Sequence, residues 1–353
     1  MTVKGTMKAA ICHKIEDVPI PEPTGREMRV RVKAASLCHL DIQFTSGAMD
    51  IGSLPQIIGH EAISVVDKVG PEAVSYGFQE GDLIGAAPYH DVCLACFGCK
   101  KLGSHFCKGM NVKGFTCPGY FAEYSLVDPE GAVVVARAKQ LDRVSPNYLT
   151  PLFCSGITVW DALERACLRP GESLAIVGVG GLRSLATRYA QALGAHVIAL
   201  DVQDEQIQAR AKEGGANEIL NTRSLSPEEL NHQIALRNYG NPVDVAVETL
   251  GSEAAYDTAL KTLRPEGRLI AVGVFGDSLP ISGLALVANA FQIIGAKLPS
   301  RASIQRCIDF SLRKNILPRI NPRIFRLEDI NEMMALMETG KVHDGRMAME
   351  VRW

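Results

Sequence analysis

The sequence predicts an α/β protein of two domains, the first mainly β and the second built on a parallel sheet with helices on both faces. Two observations predict it. Up to about residue 150 the chain is dense in glycine, proline and short apolar runs, which reads as short strands with tight turns and little helix. From about Ile157, apolar strands alternate with helices of about a dozen residues, the rhythm of parallel βαβ units. A chain of 353 residues is also too long for one ordinary core and fits two domains.

In the first part, strands are expected at Met28–Ala35, Ala62–Val69 and Asp82–Ala87. In the second, Ser173–Gly178 is a buried strand, Gly181–Leu193 an amphipathic helix and His196–Asp201 an apolar strand ending in an acid. Gln203–Glu213 then reads as helix, Val243–Glu248 as strand, Ser252–Leu263 as helix and Arg268–Gly273 as strand. The last segment returns to mixed structure.

Composition narrows the function classes. Apolar residues at 47% with 22% charged describe a globular chain, not a disordered one. A net charge of -2 gives no electrostatic reason to expect nucleic acid or an anionic membrane as partner. No apolar stretch approaches the roughly 18–20 residues of a membrane span, and the N-terminal residues lack the apolar run of a secretory signal. Ten cysteines, six of them in metal-ligand patterns, suit a reducing compartment, so a cytoplasmic protein is expected.

Four of those cysteines, Cys93, Cys96, Cys99 and Cys107, share one tight loop with Gly98 and Gly103, which permit its turns. Thiolates at this spacing are what a closed tetrahedral zinc site requires, and a lobe of this size gains its stability from the metal. A structural zinc is expected in the lobe at about residues 90–110. A second set is spread far apart: Cys38, His60 in Gly-His-Glu, and Cys154 in Cys-Ser-Gly-Ile-Thr. Two thiolates and one imidazole leave a fourth position open for water or substrate, the usual composition of a catalytic zinc.

The run Ile176–Arg183 takes a strand through a glycine turn into a helix. Gly178 permits the tight turn, and Gly180 and Gly181 let backbone N–H groups approach a pyrophosphate at the positive helix end. Asp201 closes the next strand, placed to accept hydrogen bonds from an adenosine ribose and to repel a 2′-phosphate, which favours NAD(H) over NADP(H). The third glycine of this fingerprint falls at Arg183, which must either splay the helix or reach beside the phosphates as an extra cation.

Taken together, these motifs resemble the zinc-containing alcohol dehydrogenases of the medium-chain dehydrogenase/reductase superfamily. The collinear order carries the resemblance: Gly59-His60-Glu61, the four-cysteine lobe, Gly119-Tyr120-Phe121-Ala122-Glu123-Tyr124, Cys154-Ser155-Gly156-Ile157-Thr158, the turn at Gly178, Arg264-Pro265-Glu266-Gly267-Arg268, and Gly340-Lys341 with Arg346. The resemblance implies a GroES-like catalytic domain over residues 1–155, a Rossmann-type doubly wound cofactor domain over 156–290, and a return to the catalytic domain over 291–353. It implies two zinc ions per chain, catalytic and structural, a cleft between the domains, a small-molecule substrate, and a homodimer or homotetramer.

Residue by residue, the resemblance makes Asp41 the carboxylate that orients His60, and Glu61 an acid able to approach the metal. It sets His39 and Arg346 against the pyrophosphate, Thr158 beside the nicotinamide, and Leu182 and Val272 among the cofactor contacts. The proton relay departs from the family. Where relatives carry a Ser or Thr and then a His, this chain has Leu40 and Gln43, which have no hydroxyl and no group titrating near neutral pH. The expected activity is hydride transfer between NAD(H) and an alcohol or carbonyl compound. The departure keeps open a reductase of an activated C=C bond, whose proton goes to carbon. A catalytically silent relative is the third reading, and the open three-ligand zinc set argues against it.

Overall fold

A computed structural model describes residues 5–12, 14–49, 51–137, 145–178, 181–202, 214–273, 279, 281–342 and 345–352, with side chains omitted at 181–183. The chain divides into two compact units, Met1–Cys154 with Pro299–Phe310 and Leu317–Trp353, and Ser155–Leu298 with Ser311–Ile316.

The first unit opens with a hairpin of β1 (Thr6–Ile11) and β2 (Lys14–Pro19). Then follow β3 (Met28–Ser36), α1 (His39–Thr45), β4 (Ala62–Val69), β5 (Leu83–Ala86), β6 (Tyr89–His90), β7 (Asn111–Val112), β8 (Tyr124–Val127) and β9 (Ala132–Ala136). The nine-residue β3 is central, pairing antiparallel with β4 and with β8, because Met28, Val30 and Val32 give it one fully buried face. Arg29 is buried on the same strand, its charge met by Asp67 at 2.7 Å and Glu22 at 2.8 Å. The short β6–β7 pair, with Tyr89 opposite Val112, closes the base of the four-cysteine loop.

The second unit comprises α2 (Ser155–Arg165), β10 (Ser173–Val177), α3 (Gly181–Ala192), β11 (His196–Asp201), β12 (Glu218–Asn221), α4 (Pro227–Arg237), β13 (Val243–Glu248), α5 (Glu253–Thr262), β14 (Leu263–Ala271), α6 (Gly283–Asn289) and β15 (Gln292–Gly295). Its six strands are all parallel, in the order β12-β11-β10-β13-β14-β15. Counted within the sheet this is the 3-2-1-4-5-6 order of a doubly wound nucleotide-binding fold, with the switch point between β10 and β13. Val177, Ile198, Leu200, Ala246 and Leu269 pack against Tyr256 and Ala259 of α5 as its core.

The strands β11 and β13 have the bounds read from the sequence. The expected helix at Gln203–Glu213 lies outside the described residues. One boundary differs. The sequence reading returned the chain to the first domain at Phe291, but β15 pairs with β14, and the chain rejoins the first unit at Pro299. The edge strand Gln292–Gly295 is half apolar and too short for its period to mark its sheet. The amphipathic α4 was also unread; Ser226 caps it, accepting from Glu229 N, while the Glu229 carboxylate accepts from Ser226 N.

The return segment adds α7 (Arg301–Lys314), β16 (Phe325–Arg326), α8 (Ile330–Glu338) and β17 (Ala348–Glu350). β17 joins the open edge of β3, with Ala348 opposite Ser36, and Arg346, half-buried just before it, reaches Glu61. Among the described residues no helix is long and apolar enough to cross a membrane.

Candidate active site

Two groups of metal-ligating side chains come together within the first unit. In the lobe, the sulfurs of Cys93, Cys96, Cys99 and Cys107 all lie within 4.8 Å of one another. The Cys107–Cys93, Cys96–Cys99 and Cys93–Cys99 separations are 3.5, 3.6 and 3.9 Å. A tetrahedron of sulfurs about 2.3 Å from zinc has edges of about 3.8 Å, so the four thiols fit that ion. None is in a disulfide. The N–H groups of Cys99 and Lys108 draw the Cys96 thiol down to about 6, which favours the thiolate. Burial pushes Cys99 the other way, up to about 12.

The second group joins Cys38, His60, Glu61 and Cys154, all buried, with ligand atoms again within 4.8 Å of one another. Each arrives for a local reason. Cys38 ends the link from β3 and is the N-cap of α1, with extended backbone at φ −108°. Asp41, in the first turn, accepts from Cys38 N at 2.9 Å and so satisfies an orphan donor of the helix start. Its other oxygen meets His60 Nδ1, also at 2.9 Å. Asp41 is fully buried and anchors two members of the group at once. Gly59 precedes His60 at φ +90°, and a Cβ there would overlap the Phe121 ring, so only glycine brings the imidazole to this point. Phe115 covers the other side of the His60 ring, centroid to centroid 5.1 Å. Cys154 follows the one-turn 3₁₀ segment Thr150–Phe153.

The three ligand side chains are shifted in different directions. The hydrogen bond from Cys154 draws the Cys38 thiol well below its ordinary value, and the same bond holds Cys154 up, so Cys38 is the thiolate of the pair. Burial pulls His60 down, but the Asp41 charge and hydrogen bond outweigh it and hold the imidazole well above its usual range. His60 Nε2 is buried with no hydrogen-bond partner. A buried ring nitrogen facing two sulfurs is what a zinc ion satisfies once it displaces the proton there, and the donor set of two thiols and one imidazole fits it.

Arg346 Nη2 donates to both Glu61 oxygens, at 2.6 and 2.7 Å, a partner the sequence reading did not name for it. A desolvated guanidinium takes the nearest carboxylate. Burial works against its charge, but Glu61 and Cys38 raise its pKa overall. Ser36 Oγ also donates to Glu61. Sequence reasoning missed Ser36, although its place two residues before Cys38 on a buried strand was a usable signal. His39 opens α1 and is exposed; Leu40, half-buried against the core, and Gln43 lie on one face of that helix, a turn apart.

In the second unit Gly178 has φ +100° at the end of β10, the left-handed turn that the cofactor fingerprint requires. Asp201 ends β11, buried, its Oδ1 accepting from Val202 N at 2.7 Å. Val272 follows β14, its N–H on Glu248 O at 3.0 Å, and Thr158 lies on α2. Gly181 and Leu182 begin α3, while Gly180 and the Arg183 side chain lie outside the described residues.

This combination, a β domain with two zinc-type clusters and a doubly wound nucleotide-binding sheet, defines a zinc-dependent dehydrogenase class of protein. Two family models match the chain, "Alcohol dehydrogenase GroES-like domain" over residues 24–137 and "Zinc-binding dehydrogenase" over 178–313. The alcohol dehydrogenase of Moraxella sp. (strain TAE123) is 30% identical across 98% of this chain and 99% of its own. An NAD-dependent alcohol dehydrogenase of Sulfurisphaera tokodaii is 30% identical across 93% and 94%. The crystal structure of the alcohol dehydrogenase from Aeropyrum pernix superposes with a TM-score of 0.82 at 26% identity, covering 99% of this chain and 100% of that one. The chain belongs to the zinc-containing alcohol dehydrogenase family of the medium-chain dehydrogenase/reductase superfamily, and it is an oxidoreductase of the alcohol–carbonyl class.

Proposed function

We propose that this protein is a zinc- and NAD(H)-dependent dehydrogenase interconverting a small alcohol and its aldehyde or ketone, with Cys38, His60 and Cys154 holding the catalytic zinc. The observation that carries this is the buried, unpartnered His60 Nε2 facing two thiols. Cys93, Cys96, Cys99 and Cys107 hold a second, structural zinc. When bound, zinc polarises the substrate oxygen as a Lewis acid and the nicotinamide exchanges hydride with the substrate carbon.

The chain's own groups do the rest. Asp41 fixes the proton of His60 on Nδ1, leaving Nε2 free to ligate. Glu61, whose pKa burial raises against the pull of Arg346, is held beside the ligands by Arg346 and Ser36. Asp201 at the end of β11 selects NAD(H) by repelling a 2′-phosphate. Leu40 and Gln43 cannot pass a proton, so an alcohol's proton leaves by water or by the exposed His39. The same two residues support a second reading, reduction of a conjugated C=C bond, where the proton is delivered to carbon. We place the protein in the cytoplasm, because ten cysteines, six of them zinc ligands on this reading, suit a reducing compartment, and the family resemblance implies a homodimer or homotetramer.

The test is metal content and turnover. Purified protein should carry close to two zinc ions per chain. Cys154→Ser should lose one of them together with NADH-dependent reduction of aldehydes, and Cys99→Ser should lose the other and melt at lower temperature. One zinc in the unmodified protein, or full activity in Cys154→Ser, would overturn the assignment. A panel of aldehydes and enals separates C=O from C=C reduction.

A further inference from the structure

We propose that Ser36 is a positioning residue that, with Arg346, holds the Glu61 carboxylate outside the coordination sphere of the catalytic metal. This rests on Cys38, His60 and Cys154 being the ligands of that metal. Ser36 is the last residue of β3 and fully buried, as is Glu61. Its Oγ donates a short hydrogen bond to Glu61 Oε2, and its backbone N donates to Glu61 O at 3.1 Å. The strand end is therefore joined to Glu61 at two points, the hydroxyl on the carboxylate and the backbone N–H on the main-chain carbonyl.

The geometry shows what this lock prevents. Glu61 Oε1 stands 4.0 Å from His60 Nε2. Nitrogen and oxygen ligands about 2.0–2.1 Å from a tetrahedral zinc lie about 3.3–3.4 Å apart. The carboxylate thus stands roughly 0.6 Å farther from Nε2 than a tetrahedral ligand would, close enough that a small movement would bring it in. Three hydrogen bonds converge on it, two to Oε2 and one to Oε1. Arg346 alone does not fix the distance, because one nitrogen serves both oxygens and a long side chain can follow a carboxylate that moves. The Ser36 hydroxyl cannot follow, since its Cα belongs to a strand paired with β17 through Ala348. A carboxylate released in so dry a pocket, beside a divalent cation, would take the open position that substrate needs. Ser36 keeps that position open.

Cobalt-loaded full-length protein provides the test, with visible absorption and the rate of metal release to a chelator as readouts. The Cys154→Ser protein, subtracted from each spectrum, removes the contribution of the four-cysteine lobe. Ser36→Ala should shift the cobalt d–d bands as Glu61 enters the sphere, and slow metal release about tenfold, the scale of one charged hydrogen bond exchanged for a ligand bond. Ser36→Thr, which keeps the hydroxyl, should retain the original spectrum. Ser36→Ala with Glu61→Gln should lose the shift, which a merely structural effect of the alanine would not do. A Ser36→Ala protein with unchanged bands and release rate would overturn the proposal, as would a shift that persists in the double variant. Absence of any Cys154-dependent cobalt band in the unmodified protein would overturn the ligand assignment itself, a result visible before the Ser36 variants are compared.

Discussion

Replacing Asp41 by asparagine tests how the metal site is held. The carboxylate has two donors to serve, Cys38 N and His60 Nδ1, each at 2.9 Å, and it is fully buried. Asparagine has the same shape but only one acceptor oxygen. If that oxygen keeps Cys38 N, the new NH₂ group faces His60 Nδ1 and stabilises the tautomer with its proton on Nε2, the atom needed for zinc. If it instead keeps His60, the α1 N-terminus is left with a buried N–H opposite another donor. The second arrangement costs about 1–3 kcal/mol, the range for a buried polar group left unpaired, while the first leaves nothing unpaired but presents the wrong tautomer to the metal. Loss of a carboxylate behind a histidine ligand typically weakens metal binding 10–100-fold, equivalent to about 1.4–2.7 kcal/mol. The two ranges agree. Chelator competition on the loaded protein should show that weakening, confined to one of the two zinc ions, with the four-cysteine lobe unaffected. An Asp41→Asn protein that retains both zinc ions with unchanged affinity would refute the reasoning, because it would mean that the tautomer of His60 is set by something other than Asp41.

Three further outcomes are expected. Asp201→Ala should weaken NAD(H) and narrow its advantage over NADP(H), read as the ratio of kcat/KM for the two cofactors; a preference for NADPH in the unmodified protein would show another cation dominating. Leu40→Thr with Gln43→His should raise alcohol oxidation at neutral pH by up to roughly 10²–10⁴-fold, more than either change alone, while brisk oxidation of benzyl alcohol at pH 7 by the unmodified enzyme would contradict this. Glu27 concerns stability. Burial raises its pKa, but the bond from His90 at 3.2 Å and two from Thr24 at 2.9 Å prevail and hold it down to about 2. A depressed carboxylate stabilises the fold above its ordinary pKa of 4.5 and loses that contribution as pH falls towards 2. Glu27→Gln should therefore be less stable than the unmodified protein in urea at pH 7, with the gap narrowing below pH 4.5; a gap independent of pH would remove Glu27 as its cause.

What the sequence determined by itself was local. The four-cysteine spacing, the strand–turn–helix around Gly178 and the bounds of β11 and β13 all depend on residues near one another, where periodicity reports directly which face is buried. Motif order extended this to Cys38, His60 and Cys154, which the structure brings to one point although they are far apart in the chain. Pairings over long sequence distance were decided only by tertiary structure. Arg346 lies 285 positions from Glu61, and their meeting depends on β17 joining the edge of β3. Ser36 could be marked in the sequence only by its place two residues before Cys38 on an apolar strand; that a buried carboxylate lies against it was decided by the fold. The short β15 carries too little pattern to name its sheet, and only pairing with β14 kept the chain in the second unit to Leu298. Local pattern fixes which side chains must be buried, but which buried charges face each other is set by how distant strands register, and that register is written in no single stretch of the chain.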